Sequence, residues 1–217
     1  MPRLCIRSLS NLASTLTFFE IGTTPRLDYV EEVEKQLRYL RVNRHYEEMM
    51  DLVKTEEKNP LFYRDNENLQ LLYWHKGIYQ YEVEKDPETS FELLDHAFQM
   101  SANGKKAMSE REMQILSSVG TIHFSLCLYE EALYYFKQVE TCIQTTDLLQ
   151  DKSIKSRIFY NMARVLTGIG QLEDSTAYCL DAIKWCFEEE LLWGLDQLHY
   201  QVGYNYELLG DYEKALP

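Results

Sequence analysis

The chain has 217 residues, 22 Lys+Arg against 35 Asp+Glu for a net charge of −13, and a hydrophobic share of 45%. Its 16 Tyr, 9 Phe and 3 Trp argue for a packed core and against disorder, and 9 Gly and 5 Pro exclude collagen-like and low-complexity classes. No apolar run approaches the roughly 18 residues of a membrane span, and the acidic balance lacks the basic footprint of a duplex-binding domain.

The N-terminus carries Arg3 and Arg7 ahead of a stretch broken by Ser, Asn and Thr, with no clear cleavage site. That is not a signal peptide, so a cytoplasmic protein is expected. Leu9, Leu12, Ala13 and Leu16 are spaced i, i+3, i+4, i+7 and predict a short amphipathic helix. The segment resembles the last helix of a phage-repressor-type helix-turn-helix domain, ending in the paired Phe18 and Phe19. A generic capping helix is the other reading. The preceding recognition helix is absent, so on the first reading this chain does not bind DNA by itself. Residues 1–22 are thus set apart from a repeat domain at 23–217. The one local basic excess, Arg38, Arg41, Arg44 and His45, is interleaved with Glu34, Glu47 and Glu48 and reads as an ion-paired helix face.

From residue 45 onward the chain repeats itself. Five segments, 45–53, 87–98, 128–139, 171–183 and 210–217, each open a helix after a short turn. Each then places a compact residue where a facing helix must come close: Met49, Ser90, Ala132, Ser175 and Ala215. The steps between them are 41, 42, 43 and 40. A regular step of that size predicts stacked helical hairpins. A second amphipathic stretch precedes each segment, most clearly in 199–216. There Gly203 sits at a helix crossing, Tyr206 follows on the same face, and Gly210 ends the helix in the left-handed region. The same order runs through Gly120, His123, Tyr129, Ala132 and Phe136, and weakly through Gly77, Ser90, Leu94 and Ala97.

This resembles the tetratricopeptide pattern over about residues 28–217, with longer helices or connections than the usual period of about 34 residues. The connections fall at 55–68, 100–109 and 145–153. Asp86 before Pro87 is a helix cap, and Ser109 with Glu112 is a capping box. The expected fold is all-α, a right-handed superhelix of about five tetratricopeptide-like hairpins. The last repeat stops at Pro217 without its second helix, so a fragment is expected.

A helix-turn-helix remnant followed by such repeats resembles the peptide-pheromone regulators of Gram-positive bacteria, the Rap, Npr, Plc and Prg group. Residues 160–186 look like the Plc-type stretch, and 21–40 look most like the neutral-protease-regulator branch. The resemblance implies an inner groove that binds a short signalling peptide and couples it to oligomerisation, transcription or sporulation signalling. In repeat four the inner face is Arg157, Tyr160, Asn161 and Arg164, with 157, 161 and 164 on one stripe. An asparagine amide can pair with both the N–H and C=O of an extended peptide unit. The resemblance places a backbone-contacting asparagine at residue 161. The two arginines can hold a carboxylate bidentately, or pair with acids on neighbouring helices. Adjacent repeats offer Gln114, Ser117 and Thr121 on one side, and Gln197, Tyr200, Gln201 and Tyr204 on the other. Repeat three has serine and threonine where family members often carry asparagine. Trp74, Ile78 and Tyr81 form either an apolar groove wall or inter-repeat packing.

Little in the sequence suggests catalysis. The five histidines show no metal-ligand spacing, and there is no nucleophile elbow, P-loop or dinucleotide fingerprint. Cys5, Cys127, Cys142, Cys179 and Cys186 are odd in number and contain no C-x-x-C, so free thiols are expected. No catalytic residue, metal or cofactor is assigned. The alternatives are a generic protein-binding scaffold and, by resemblance to Rap proteins, a modulator of a response regulator acting through Gln36. The open end of the solenoid favours self-association, and no membrane partner is expected.

Overall fold

The computed structural model describes residues 23–101, 107–146, 149–192 and 194–215. The helix expected between Leu9 and Leu16, and with it the choice between a helix-turn-helix remnant and a cap, lies outside these residues. Among the described residues every regular element is helical. They are α1 (Thr23–Val42), α2 (Tyr46–Glu56), α3 (Pro60–Tyr63), α4 (Asn66–Glu82), α5 (Pro87–Gln99) and α6 (Glu110–Ser125). Then come α7 (Tyr129–Thr145), α8 (Ser153–Gly168), α9 (Leu172–Glu188), α10 (Leu195–Leu208) and α11 (Tyr212–Ala215).

Helix starts follow local chemistry. The Asp65 carboxylate accepts from the amides of Glu67 and Asn68, and Asp86 accepts from that of Thr89 with Pro87 in the first turn. Ser109 and Glu112 close the expected capping box. The 55–68 connection is more structured than expected. Asn59 accepts from the Leu61 amide and starts the single turn α3, which inserts Phe62, fully buried, under α4.

The helices pair as α1/α2, α4/α5, α6/α7, α8/α9 and α10/α11. Met49, Ser90, Ala132 and Ser175 are all fully buried at the pair interfaces. The serines solve their polarity by bonding the facing helix: Ser90 Oγ donates to the Gly77 carbonyl at 2.7 Å, and Ser175 Oγ to that of Ala163 at 2.8 Å. Gly77 and Gly120 are required by close approach. An added Cβ would stand 2.7 Å from Leu94 at the first and 2.7 Å from Phe136 at the second.

Each hairpin turn carries one left-handed residue: Arg44, Lys85, Cys127, Gly170 and Gly210. Their spacing repeats the 41, 42, 43 and 40 of the compact residues. In four of the five turns the following amide donates to a carbonyl five residues back, as from His45 to Leu40 at 2.8 Å and from Gln171 to Leu166 at 2.8 Å. This is the Schellman arrangement, which satisfies carbonyls at the helix end.

The hairpins stack on two buried clusters that meet at α6. Ile115, Val119 and Ile122 face the α1–α5 side, and Met113 and Leu116 face the α7–α10 side. Successive first helices also touch one another, α1 to α4, α4 to α6, α6 to α8 and α8 to α10, whereas successive second helices make at most marginal contact. The array therefore curves with its first helices on the inside. The curve is tight enough that Arg38 on α1 reaches Asp151, just before α8, at 3.3 Å.

Candidate functional site: the inner face of the first helices

The inner face is built from α1, α4, α6, α8 and α10. Burial of Ile154, Ile158, Met162 and Val165 into the core turns the adjacent flank of α8 toward that face. The stripe carries Arg157, Tyr160, Asn161 and Arg164, all half-buried. The Asn161 amide makes no hydrogen bond among the described residues. Arg164 lies over the Phe124 ring, 4.4 Å from its centre, and 5.6 Å from that of Tyr160, and forms no ion pair among the described residues. Stacking fixes the plane of the guanidinium and leaves its edge donors available. Arg157 is differently engaged: it donates to the Asp151 carboxylate at 2.9 Å. Burial works to raise the Asp151 pKa, but hydrogen bonds from Ser153 and the charges of Arg157 and Arg38 outweigh it and hold the carboxyl below its ordinary range.

On α6, Gln114 and Ser117 are half-buried with no side-chain hydrogen bond among the described residues, and the Thr121 hydroxyl donates to the Ser117 carbonyl at 2.8 Å. On α10, Gln197 is exposed, and the rings of Tyr200 and Tyr204 stack in parallel, 6.3 Å apart, 71% and 40% exposed. Gln201 departs from the expected set. It is buried, and its amide donates to Thr167 Oγ1 at 2.9 Å and Asn205 Oδ1 at 3.1 Å. The fully buried Asn205 in turn donates to Ser175 Oγ at 2.8 Å and Thr176 Oγ1 at 3.1 Å. This polar junction locks α8, α9 and α10 together, and Gln201 leaves the groove set for that reason. Its core member, Asn205, has no signal in the sequence beyond a polar residue on a helix face that packs inward.

Sequence reasoning also missed the part taken by α1. Its Glu34 pairs with Arg111 of α6 at 2.8 Å, and Arg41 lies over the Trp74 ring, 4.1 Å from the centre. Trp74 is buried and donates its Nε1–H to Ser118 Oγ at 2.9 Å. It therefore serves inter-repeat packing beneath Arg41, as does the buried Ile78. A cavity of about 200 Å³ opens between α1, α4 and α6. A larger one, about 590 Å³, lies where the start of α8 meets the ends of α7 and α9, off the 157–161–164 stripe. Gln36 hydrogen-bonds Glu32 on its own helix at 3.1 Å.

Among the described residues no group of histidines, cysteines and carboxylates could hold a metal ion. Cys127, Cys142, Cys179 and Cys186 are free thiols, and burial pushes that of Cys179 up to about 12. Among the described residues no helix is long and apolar enough to cross a membrane.

A coil of helical hairpins with half-buried, unpaired polar groups along its inner face defines a tetratricopeptide-like repeat protein. The model of the RNPP family C-terminal domain matches residues 34–215, and the chain belongs to that family. Two crystal structures of Bacillus thuringiensis PlcR share the fold at 19% identity. The apo form has a TM-score of 0.79, covering 92% of this chain and 74% of PlcR. The complex with the peptide PapR7 and DNA has a TM-score of 0.77, covering 99% and 78%. Aspartyl phosphate phosphatase F from Bacillus subtilis is similar at 20% identity and a TM-score of 0.67, covering 88% of this chain and 49% of that one. No curated protein sequence matches the chain. None of these matches singles out the neutral-protease-regulator branch.

Proposed function

We propose that this chain is the signalling-peptide-binding domain of a quorum-sensing regulator, whose inner face grips an extended peptide by its main chain. The observation that carries the reading is Asn161: a half-buried amide with no hydrogen-bond partner among the described residues, in the middle of the inner face of a protein of the RNPP family. An amide that reaches solvent offers both a donor and an acceptor, and one extended peptide unit can pair with both. Arg164 beside it offers a cation with no ion pair among the described residues, and Gln114, Ser117, Gln197 and the Tyr200–Tyr204 pair extend the surface to either side. That a peptide is bound in the PlcR complex supports the reading by likeness of fold.

The test is thermal unfolding with peptides selected on the purified chain from a random heptapeptide library. A ligand that binds only the folded state stabilises it by about 2.7 kcal/mol at a hundred times its Kd. The wild type is expected to show that rise. Asn161→Ala is expected to keep the apo melting temperature and lose most of the rise. Equal affinity in the variant would contradict the groove assignment.

A second reading, a modulator of a response regulator, draws on the fold shared with aspartyl phosphate phosphatase F. It predicts binding to an isolated receiver domain, abolished by Gln36→Ala.

A further inference from the structure

Two groups at the cavity between α1, α4 and α6 have no partner of the opposite kind among the described residues. The first is Arg41. Its guanidinium lies on Trp74, and among the described residues no carboxylate pairs with it. The acids nearby are already engaged: Asp151 by Arg38 and Arg157, Glu34 by Arg111. Burial, together with the charges of Arg157 and Arg38, drives the Arg41 pKa down to about 9, the mark of a cation short of an anion. Glu31 and Lys35 on the rim are exposed and offset each other.

The second is His75, only 1% exposed. Its Nδ1 stands 2.8 Å from the Leu71 carbonyl oxygen, which can only accept, so Nδ1 carries the proton. Nε2 is then a bare acceptor. It has no hydrogen-bond partner among the described residues and is closed to solvent, although the His75 side chain borders the same cavity. Burial, followed by the Arg41 charge, lowers the His75 pKa to about 3, so the ring stays neutral. The cavity therefore presents a cation with no carboxylate partner among the described residues, in about 200 Å³, many times what one water needs.

We infer that this cavity is a subsite for a carboxylate, taken by Arg41 and Arg38. The last residue of a peptide presents such a carboxylate, and so does an internal aspartate. The inference rests on the peptide-binding reading and adds to it which end or which residue of the peptide is recognised. Because the subsite lies at α1, α4 and α6, it anchors the ligand some two repeats away from Asn161.

The test uses the full chain, immobilised, and three random heptapeptide libraries: free C-terminal carboxylates, C-terminal carboxamides, and carboxamides with one fixed aspartate. Wild type is expected to retain the free-acid library over the plain carboxamide library by about tenfold or more. Arg41→Gln is expected to reduce that retention to the carboxamide level. Arg41→Lys, which keeps the charge, is expected to preserve part of the preference and covers the case in which the glutamine variant misfolds. Retention of the aspartate library at the free-acid level supports the subsite and assigns the carboxylate to a side chain. Equal retention of the free-acid and both carboxamide libraries, unchanged in Arg41→Gln, overturns the subsite. If Asn161→Ala then lowers all three, the groove stands without it; if no library is retained above heat-unfolded chain, both fall.

Discussion

Arg44, Lys85 and Cys127 occupy the left-handed region at φ near +60°, where an L-side chain crowds its own carbonyl. The same position in the last two hairpins is glycine, which carries no such crowding. Arg44 is exposed, and its side chain makes no hydrogen bond or ion pair among the described residues, so its replacement isolates the backbone effect. Arg44→Gly is expected to stabilise the chain by about 0.5–1 kcal/mol, after the extra chain entropy of glycine is subtracted. Chemical denaturation checks this as a raised midpoint at constant slope; a lowered midpoint would mean that Arg44 contributes something beyond the turn. This scale was only partly legible in sequence. Gly170 and Gly210 announce a left-handed turn by residue type, whereas arginine, lysine and cysteine do not. Burial of Gln201 and Asn205 was hidden for the opposite reason. Amides look solvated until a second polar helix face is packed against them.

Helices and their pairing were the most legible part of the molecule. Residues at steps of 41, 42, 43 and 40 locate each interface, and from Ser90 onward they are small, which permits the close approach. Capping chemistry at Asp86 and Ser109 fixes two starts. Helix α3 escaped notice because four residues carry no period, and only the Asn59–Pro60 cap signals it. The approach at Gly120 makes a sharp prediction. A methyl group there meets three ring atoms of Phe136 at 2.7–3.0 Å, and that ring is fully buried with no room to swing. Gly120→Ala gains helix propensity worth about 1 kcal/mol. Overpacking of this kind costs about 1–3 kcal/mol, so the net change is expected to be a loss of stability. Calorimetric melting of the variant should show a lower Tm, and an unchanged or higher Tm would mean that α6 and α7 separate more easily than their packing implies.

Across the whole molecule, curvature sets the site. It brings α1 over α4 and α6 and carries Arg38 to Asp151, joining residues that lie more than a hundred positions apart. No local pattern encodes that arrangement. It comes from small rotations between successive hairpins, summed over the array. The α8 stripe was legible because i, i+4, i+7 spacing survives any curvature, so Arg157, Asn161 and Arg164 could be grouped in advance. Their partners could not: Arg157 is drawn to Asp151, and Gln201 into the buried junction, by neighbours that only the stacked array supplies.

Hydrogen–deuterium exchange on the chain, with and without a peptide retained from the random library, tests the central claim most directly. An extended ligand on the inner face should slow exchange in α4, α6, α8 and α10 and leave the outward α5, α7 and α9 unchanged. Protection concentrated on α5, α7 and α9, or at the cavity flanked by Phe159 and Trp185, would contradict the account.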